Sequence, residues 1–74
     1  MINVALLGFG RIGQMHAQNI YHNKTLNLLY VYEKIDKLRR KAKDLYNCEI
    51  ERNYKNIFSD KRVDIIFISS PTNT

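Results

Sequence analysis

The apolar run Ile2 to Leu7 passes directly into Gly8-Phe9-Gly10-Arg11-Ile12-Gly13, and helical patterning starts immediately behind it. Few folds can use a strand that breaks at a glycine and re-enters as a helix within three residues. A G-x-G-x-x-G pattern at such a junction matches the strand-turn-helix of a dinucleotide-binding unit. Gly8 permits the tight turn out of the strand, Gly10 has no side chain where a pyrophosphate must approach the backbone, and Gly13 lets the helix pack closely on the strand. The helix start offers unpaired N–H groups and the positive end of its dipole to phosphates. Glu33 ends the second apolar strand 20 residues after Gly13, where a carboxylate would accept the ribose hydroxyls of NAD. A plain strand-to-helix turn with a solvated Glu33 would explain these residues singly but not their joint placement.

The rest of the chain extends the same architecture. Two further runs, Leu28 to Tyr32 and Val63 to Ile68, have the β-branched and aromatic content of strands. Ile2–Leu7 and Val63–Ile68 read as strands buried on both faces. From Arg11 to about His22, the residues Ile12, His16 and Ile20 form a stripe that should face the sheet. Asp36 is the expected N-cap of a second helix, with Leu38, Ala42 and Leu45 inward and Lys37, Arg39, Arg40, Lys41 and Lys43 mostly outward. A short strand over 49–52 and a helical turn over 54–58 lead to the last strand. Alternation of this kind gives parallel strands joined by crossovers. The expected fold class is α/β, a partial Rossmann fold (β-α-β-α-β-β) with a mostly parallel sheet that lacks its later strands. All 74 residues belong to one domain, the N-terminal part of a dinucleotide-binding unit.

Composition narrows the function classes. Hydrophobic residues at 45% and charged residues at 26% are globular values that exclude a disordered tail. The single cysteine, Cys48, cannot form an internal disulfide, and no His/Cys spacing suits zinc, so no metal is expected and the compartment reads as a reducing cytoplasm. There is no basic lead-in to a signal core, and no run approaches the ~20 apolar residues of a membrane span. The net charge of +5 and the run Lys37-Leu38-Arg39-Arg40-Lys41-Ala42-Lys43 raise the rival reading of a polyanion-binding module. Leu38, Ala42 and Leu45 explain that helix as an ordinary amphipathic one with a solvated basic face, so no nucleic-acid partner is expected. His16 reads as a packed helix residue, His22 as a helix-end residue, Cys48 as an inert thiol, and Tyr30 and Tyr32 as sheet packing.

Gly8-Phe9-Gly10-Arg11-Ile12-Gly13-Gln14-Met15-His16-Ala17, together with Val63-Asp64-Ile65-Ile66-Phe67-Ile68-Ser69-Ser70-Pro71-Thr72-Asn73-Thr74, resembles the glucose-fructose oxidoreductase and inositol 2-dehydrogenase family (Gfo/Idh/MocA), with the inositol 2-dehydrogenases nearest. The resemblance covers essentially the whole chain, its middle third through spacing alone. It implies that Gly8, Phe9, Gly10, Arg11, Ile12 and Gly13 form the pyrophosphate loop, with the backbone of Arg11 and Ile12 capping the phosphates. It also implies that Glu33 binds the adenosine ribose and that Ser70, Pro71 and Thr72 line the cofactor beyond the fourth strand. Thr72 stands where many relatives have asparagine. NAD is the expected cofactor; Lys34 and the Arg39-Arg40 pair keep NADP open.

The family's Glu-Lys-Pro and Asp-x-x-x-His motifs, which carry its catalytic groups, do not occur in this sequence. The resemblance therefore implies an NAD(P)-binding portion of an oxidoreductase that moves a hydride between the cofactor and a polyol or sugar hydroxyl. Its substrate would be bound only when a further domain completes it, and no catalytic residue lies within these 74 positions. A non-functional relic of such an enzyme is the other reading of the same motifs. A chain this short buries only roughly 60% of the surface exposed by its unfolded form. Low stability and self-association through an uncovered Ile65-Ile66-Phe67-Ile68 edge are the corresponding expectations.

Overall fold

A computed structural model describes residues 1–69. The expected site residues Ser70, Pro71 and Thr72 lie outside the described residues. Seven elements alternate along the chain: β1 (Ile2–Leu7), α1 (Arg11–His22), β2 (Leu26–Tyr32), α2 (Asp36–Tyr46), β3 (Glu49–Glu51), α3 (Tyr54–Phe58) and β4 (Ile65–Ile68). The four strands are all parallel, in the order β3-β2-β1-β4. This is the partial Rossmann sheet that the alternation implied.

β1 is the central strand, and Val4, Ala5 and Leu6 are buried because both faces of the sheet are covered there. Val4, Leu6, Phe9, Leu28 and Val31 pack with Ala17 and Ile20 of α1, Ala42 of α2, and Cys48. Ala5 and Tyr30 form the core of the other face with Ile57 of α3. Pairing of β1 with β2 shifts register once, from Val4 opposite Leu28 to Ala5 opposite Tyr30, so Leu29 is an extra residue in β2. Tyr30 is buried and Tyr32 packs beside it, the structural role expected of both.

Several faces differ from the periodicity. The buried residues of α1 are Gly13, Ala17 and Ile20, while Ile12 is 57% exposed. The helix approaches the sheet where no side chain intervenes, so small residues make the contact and Ile12, about 100° round the helix, is turned away. His16 is half-buried at the margin, its ring centroid 4.6 Å from that of Phe67. In α2 the inward positions are Leu38, Ala42 and Tyr46; Leu45 is exposed because the Tyr46 ring takes the inner position, edge-on to Phe9. The N-cap is Ile35, not Asp36. Asp36 is the first helical residue, and its carboxylate pairs with Arg39 at 3.0 Å and Arg40 at 3.1 Å. There it favours the positive end of the helix dipole instead of capping an N–H. Asn47 closes the helix in the left-handed region at φ 51°, its N–H donating to Lys43 O at 2.8 Å.

The largest departure is β4. Ile65 and Ile68 are 44% and 65% exposed, and Ile66 and Phe67 are also exposed, so this strand is not buried on both faces. Its inner edge pairs with β1, but no described strand lies beyond it, and His16 at the margin of α1 stacks on its Phe67.

Candidate functional site

The glycine loop lies at the C-terminal ends of β1 and β2. As β1 ends, the Gly8 N–H donates to Tyr32 O at 2.8 Å, and Gly8 turns the chain at φ 109°, which side chains rarely adopt. Phe9 then drives its ring into the core, where it is fully buried. The loop closes on its own hydrophobic core through this side chain, and the Phe9 N–H is donated to Glu33 Oε1 at 2.7 Å.

α1 begins at Arg11 without a side-chain cap and without an acidic residue in its first turn. Its first backbone bond runs from Gln14 N to Gly10 O at 2.8 Å. The N–H groups of Arg11, Ile12 and Gly13 are therefore left without partners among the described residues. A Cβ on Gly10 would meet nothing within 4 Å, so open space lies before these donors. A Cβ on Gly13 would press into the Gly8 carbonyl oxygen and lie 2.8 Å from its carbon. Arg11 and Ile12 present backbone to this space, while both side chains are exposed.

Glu33 follows β2 directly. Its Oε1 accepts from Phe9 N and its Oε2 from Ile35 N at 3.2 Å, so the carboxylate bridges the glycine loop and the start of α2. Arg39, expected to point outward, is instead 13% exposed along its side chain. Its Nη1 donates to Glu33 O at 2.7 Å and Lys34 O at 2.9 Å, and its Nη2 to Asp36 Oδ1. Ser69 enters from the end of β4: its N–H donates to Leu7 O at 2.8 Å, and its buried Oγ has no partner among the described residues. That Oγ stands 3.5 Å from where a Gly13 Cβ would be. The open cradle at Gly10, the free donors, the orphaned hydroxyl and the nearby carboxylate fit a dinucleotide: anionic phosphates before the helix and a diol at Glu33.

The sequence reading took Arg39 only as a cation that keeps NADP open and missed its hold on the Glu33 and Lys34 carbonyls, and it gave Ser69 no separate role. Arg39 was hidden within a basic run, although a guanidinium close behind a strand end is in reach of its carbonyls. Ser69 carried no signal beyond its place at the end of β4.

A second polar cluster lies away from the loop, in the segment leading into β4. Tyr30 donates its hydroxyl to Asp60 Oδ2 at 2.7 Å, and Arg62 pairs with Asp60 at 2.7 Å and Glu49 at 3.0 Å. Asn3 N donates to Asp64 Oδ2 at 2.8 Å, and Asp64 N returns a bond to Asn3 O at 2.9 Å, fastening the same segment to β1. The Arg62 side chain foremost, then the Tyr30 hydroxyl, holds the Asp60 carboxyl well below its ordinary value of 3.8. A carboxylate with a depressed folded-state pKa stabilises the fold above its unfolded pKa and loses that contribution as pH falls. Acid titration followed by circular dichroism should therefore show a progressive loss of stability below about pH 4, with a shallower slope in Asp60→Asn. Parallel slopes would mean that Asp60 contributes nothing to acid sensitivity. Elsewhere, burial pushes the Cys48 thiol up, which leaves it a packing residue. No helix among the described residues is long and apolar enough to cross a membrane.

Comparison with known proteins bears on this geometry. A family model described as oxidoreductase family, NAD-binding Rossmann fold (GFO_IDH_MocA) matches residues 2–74. A myo-inositol dehydrogenase from Corynebacterium glutamicum is 31% identical with a TM-score of 0.88, the match covering 100% of this chain and 22% of that one. A candidate myo-inositol dehydrogenase from Sinorhizobium meliloti is 30% identical with a TM-score of 0.91, over the same shares of 100% and 22%. The scyllo-inositol dehydrogenase from Lactobacillus casei, solved with NAD(H) and scyllo-inositol, shares the fold at a TM-score of 0.89 and 24% identity, over 97% of this chain and 22% of its own. The chain thus spans about a fifth of the length of these structures, at 22% of each. No curated protein sequence matches it.

Proposed function

Since the chain belongs to the Gfo/Idh/MocA family of NAD-binding oxidoreductases, we propose that it is the part of such an enzyme that holds NAD, in preference to NADP, for hydride transfer with a polyol or sugar hydroxyl. The observation that carries this reading is the placement of the Glu33 carboxylate on the glycine loop, bonded to Phe9 N, beside the free N–H groups of α1. Those N–H groups bind the pyrophosphate, and the missing Cβ of Gly10 lets it approach. Glu33 accepts the adenosine ribose hydroxyls and repels a 2′-phosphate. The nicotinamide, when bound, supplies the hydride chemistry.

The inositol dehydrogenases among the similar structures support a polyol or sugar substrate. The match covers 22% of those chains, and this reading assigns to the present residues the cofactor and not the substrate contact or the acid-base groups. The chain by itself binds nucleotide without turning over substrate.

Titration of the chain with NAD and NADP, read by calorimetry, tests this reading. NAD should bind more tightly, and Glu33→Gln should weaken NAD by roughly tenfold while narrowing or reversing its advantage over NADP. The Gln oxygen can still accept from Phe9 N, while its NH2 gives up the acceptor of the Ile35 N–H, so the variant removes the charge together with the longer of the two backbone bonds. Equal affinity of the wild type for both nucleotides would remove the NAD preference, and an absence of binding would remove the functional reading altogether.

A further inference from the structure

We infer that Arg39 is a positioning residue for Glu33 and, through it, a determinant of the choice between NAD and NADP; the inference rests on the dinucleotide reading above. A guanidinium six residues beyond the ribose-binding acid looks suited to a 2′-phosphate, and the structure gives it other work. Arg39 is 13% exposed along its side chain. Its Nη1 donates to the carbonyls of Glu33 at 2.7 Å and Lys34 at 2.9 Å, and its Nη2 to Asp36 Oδ1 at 3.0 Å. The guanidinium is a rigid planar fork, so it cannot turn toward a phosphate without releasing the strand-end carbonyls it holds.

Those carbonyls matter because one belongs to the residue that reads the ribose and the other to its neighbour. Every polar group of Glu33 has a partner: its N–H donates to Glu51 O at 3.1 Å, its C=O accepts from Arg39, and its carboxylate oxygens accept from Phe9 N and Ile35 N. Each carboxylate oxygen has two acceptor sites, and one on each is filled by a backbone N–H. One site per oxygen remains, enough for two hydroxyl donors from a vicinal diol. A 2′-phosphate brings no donor to either. With Arg39 removed, the turn between β2 and α2 loses the cross-tie that fixes this orientation, and the remaining acceptor sites are no longer held in place before the diol arrives.

Arg40 supplies the control. It pairs with the same Asp36, but its side chain is 76% exposed and it makes no bond to Glu33.

The test uses the full chain, with NAD and NADP titrated calorimetrically against wild type, Arg39→Met, Arg40→Met, Glu33→Gln and the Arg39→Met/Glu33→Gln double variant. Amide hydrogen exchange at Phe9 and Ile35 is followed by NMR. Arg39→Met should weaken NAD by about tenfold and change NADP by less than about twofold, with faster exchange at both amides. It should cost nothing further in the Glu33→Gln background, and Arg40→Met should leave both affinities as they were. If NADP weakens most, Arg39 reads the phosphate and the inference is overturned; unchanged NAD affinity and unchanged amide protection in folded Arg39→Met overturn it equally. Should Arg39→Met not fold, Arg39→Lys keeps the charge and stem but cannot span both carbonyls; wild-type affinity and protection in that variant would also overturn it. A wild type that binds neither nucleotide fails the functional reading instead, and the exchange at Phe9 still reports whether Arg39 holds Glu33.

Discussion

Gly13→Ala should lose a large part of the stability of the fold, whereas Gly10→Ala should fold normally and bind a dinucleotide far more weakly. At Gly13 the added methyl runs into the carbonyl group of Gly8, which is backbone and cannot rotate aside. Either α1 lifts from β1 or the glycine loop opens, and both routes break the contact that Ala17 and Ile20 make with the sheet. Forced overpacking of this kind costs about 1–3 kcal/mol or more, against a total stability of roughly 4–11 kcal/mol for a chain of this size. Gly10 sits at φ −74° and ψ −163°, open to any residue, and its Cβ would meet nothing. Alanine there should leave stability unchanged or raise it by up to about 1 kcal/mol by restricting the unfolded chain. It should also weaken nucleotide binding by about 100-fold, because the methyl fills the space through which the phosphates reach the helix. Urea denaturation and calorimetric titration of the two variants separate these outcomes. Gly10→Ala that binds like the wild type would mean that the phosphates do not pass this position.

Phe9→Ala should be at least as damaging as the Gly13 change, for the opposite reason. The ring is fully buried, packed edge-on against Tyr46 with centroids 6.4 Å apart, in the same cluster as Leu6, Ala17 and Val31. Truncating a buried phenylalanine costs about 3–5 kcal/mol through lost burial and the cavity left behind. The denaturation midpoint should fall steeply, and at the low end of that stability range much of the chain should be unfolded at room temperature in the absence of ligand. Excess nucleotide should recover part of the signal, since binding to the folded state draws the equilibrium toward it. A loss of less than about 1 kcal/mol in chemical denaturation would show that the Phe9 side chain is not the anchor of the loop.

Much of this arrangement was legible in the residues. The limits of β1, α1 and α3, the parallel character of the sheet and the placing of Glu33 beside the glycine loop follow from runs, glycines and spacing, which report backbone geometry directly. Side-chain direction was less legible. Apolar periodicity weighs Ile12 above Gly13 and Ala17, yet the helix meets the sheet through the small residues because they allow the closest approach. Leu45 outranks Tyr46 as a hydrophobe, but only the tyrosine can reach both Phe9 and Tyr21 with its ring. The role of Arg39 was hidden because a charge run gives no sign of which member finds carbonyls to hold. Burial of β4 was misjudged because an apolar strand reports its own preference for cover and carries no information on whether cover is supplied.

The extra residue at Leu29 bears on how a spacing rule works. Before it, Val4 lies level with Leu28; after it, Leu7 lies level with Tyr32, so the offset between the strands grows from 24 to 25 residues. That single slip draws the end of β2 back by one strand step, about 3.3 Å, and places Glu33 beside Gly8 instead of overshooting it. It also lets Leu28 and Val31, three residues apart, face the same pair of helices. The bulge thus acts as a shim. A count of 20 residues between glycine and acid is a statement about chain length, and what the site needs is a height above the sheet; relatives with one residue more or fewer can reach the same height by placing or omitting such a shim.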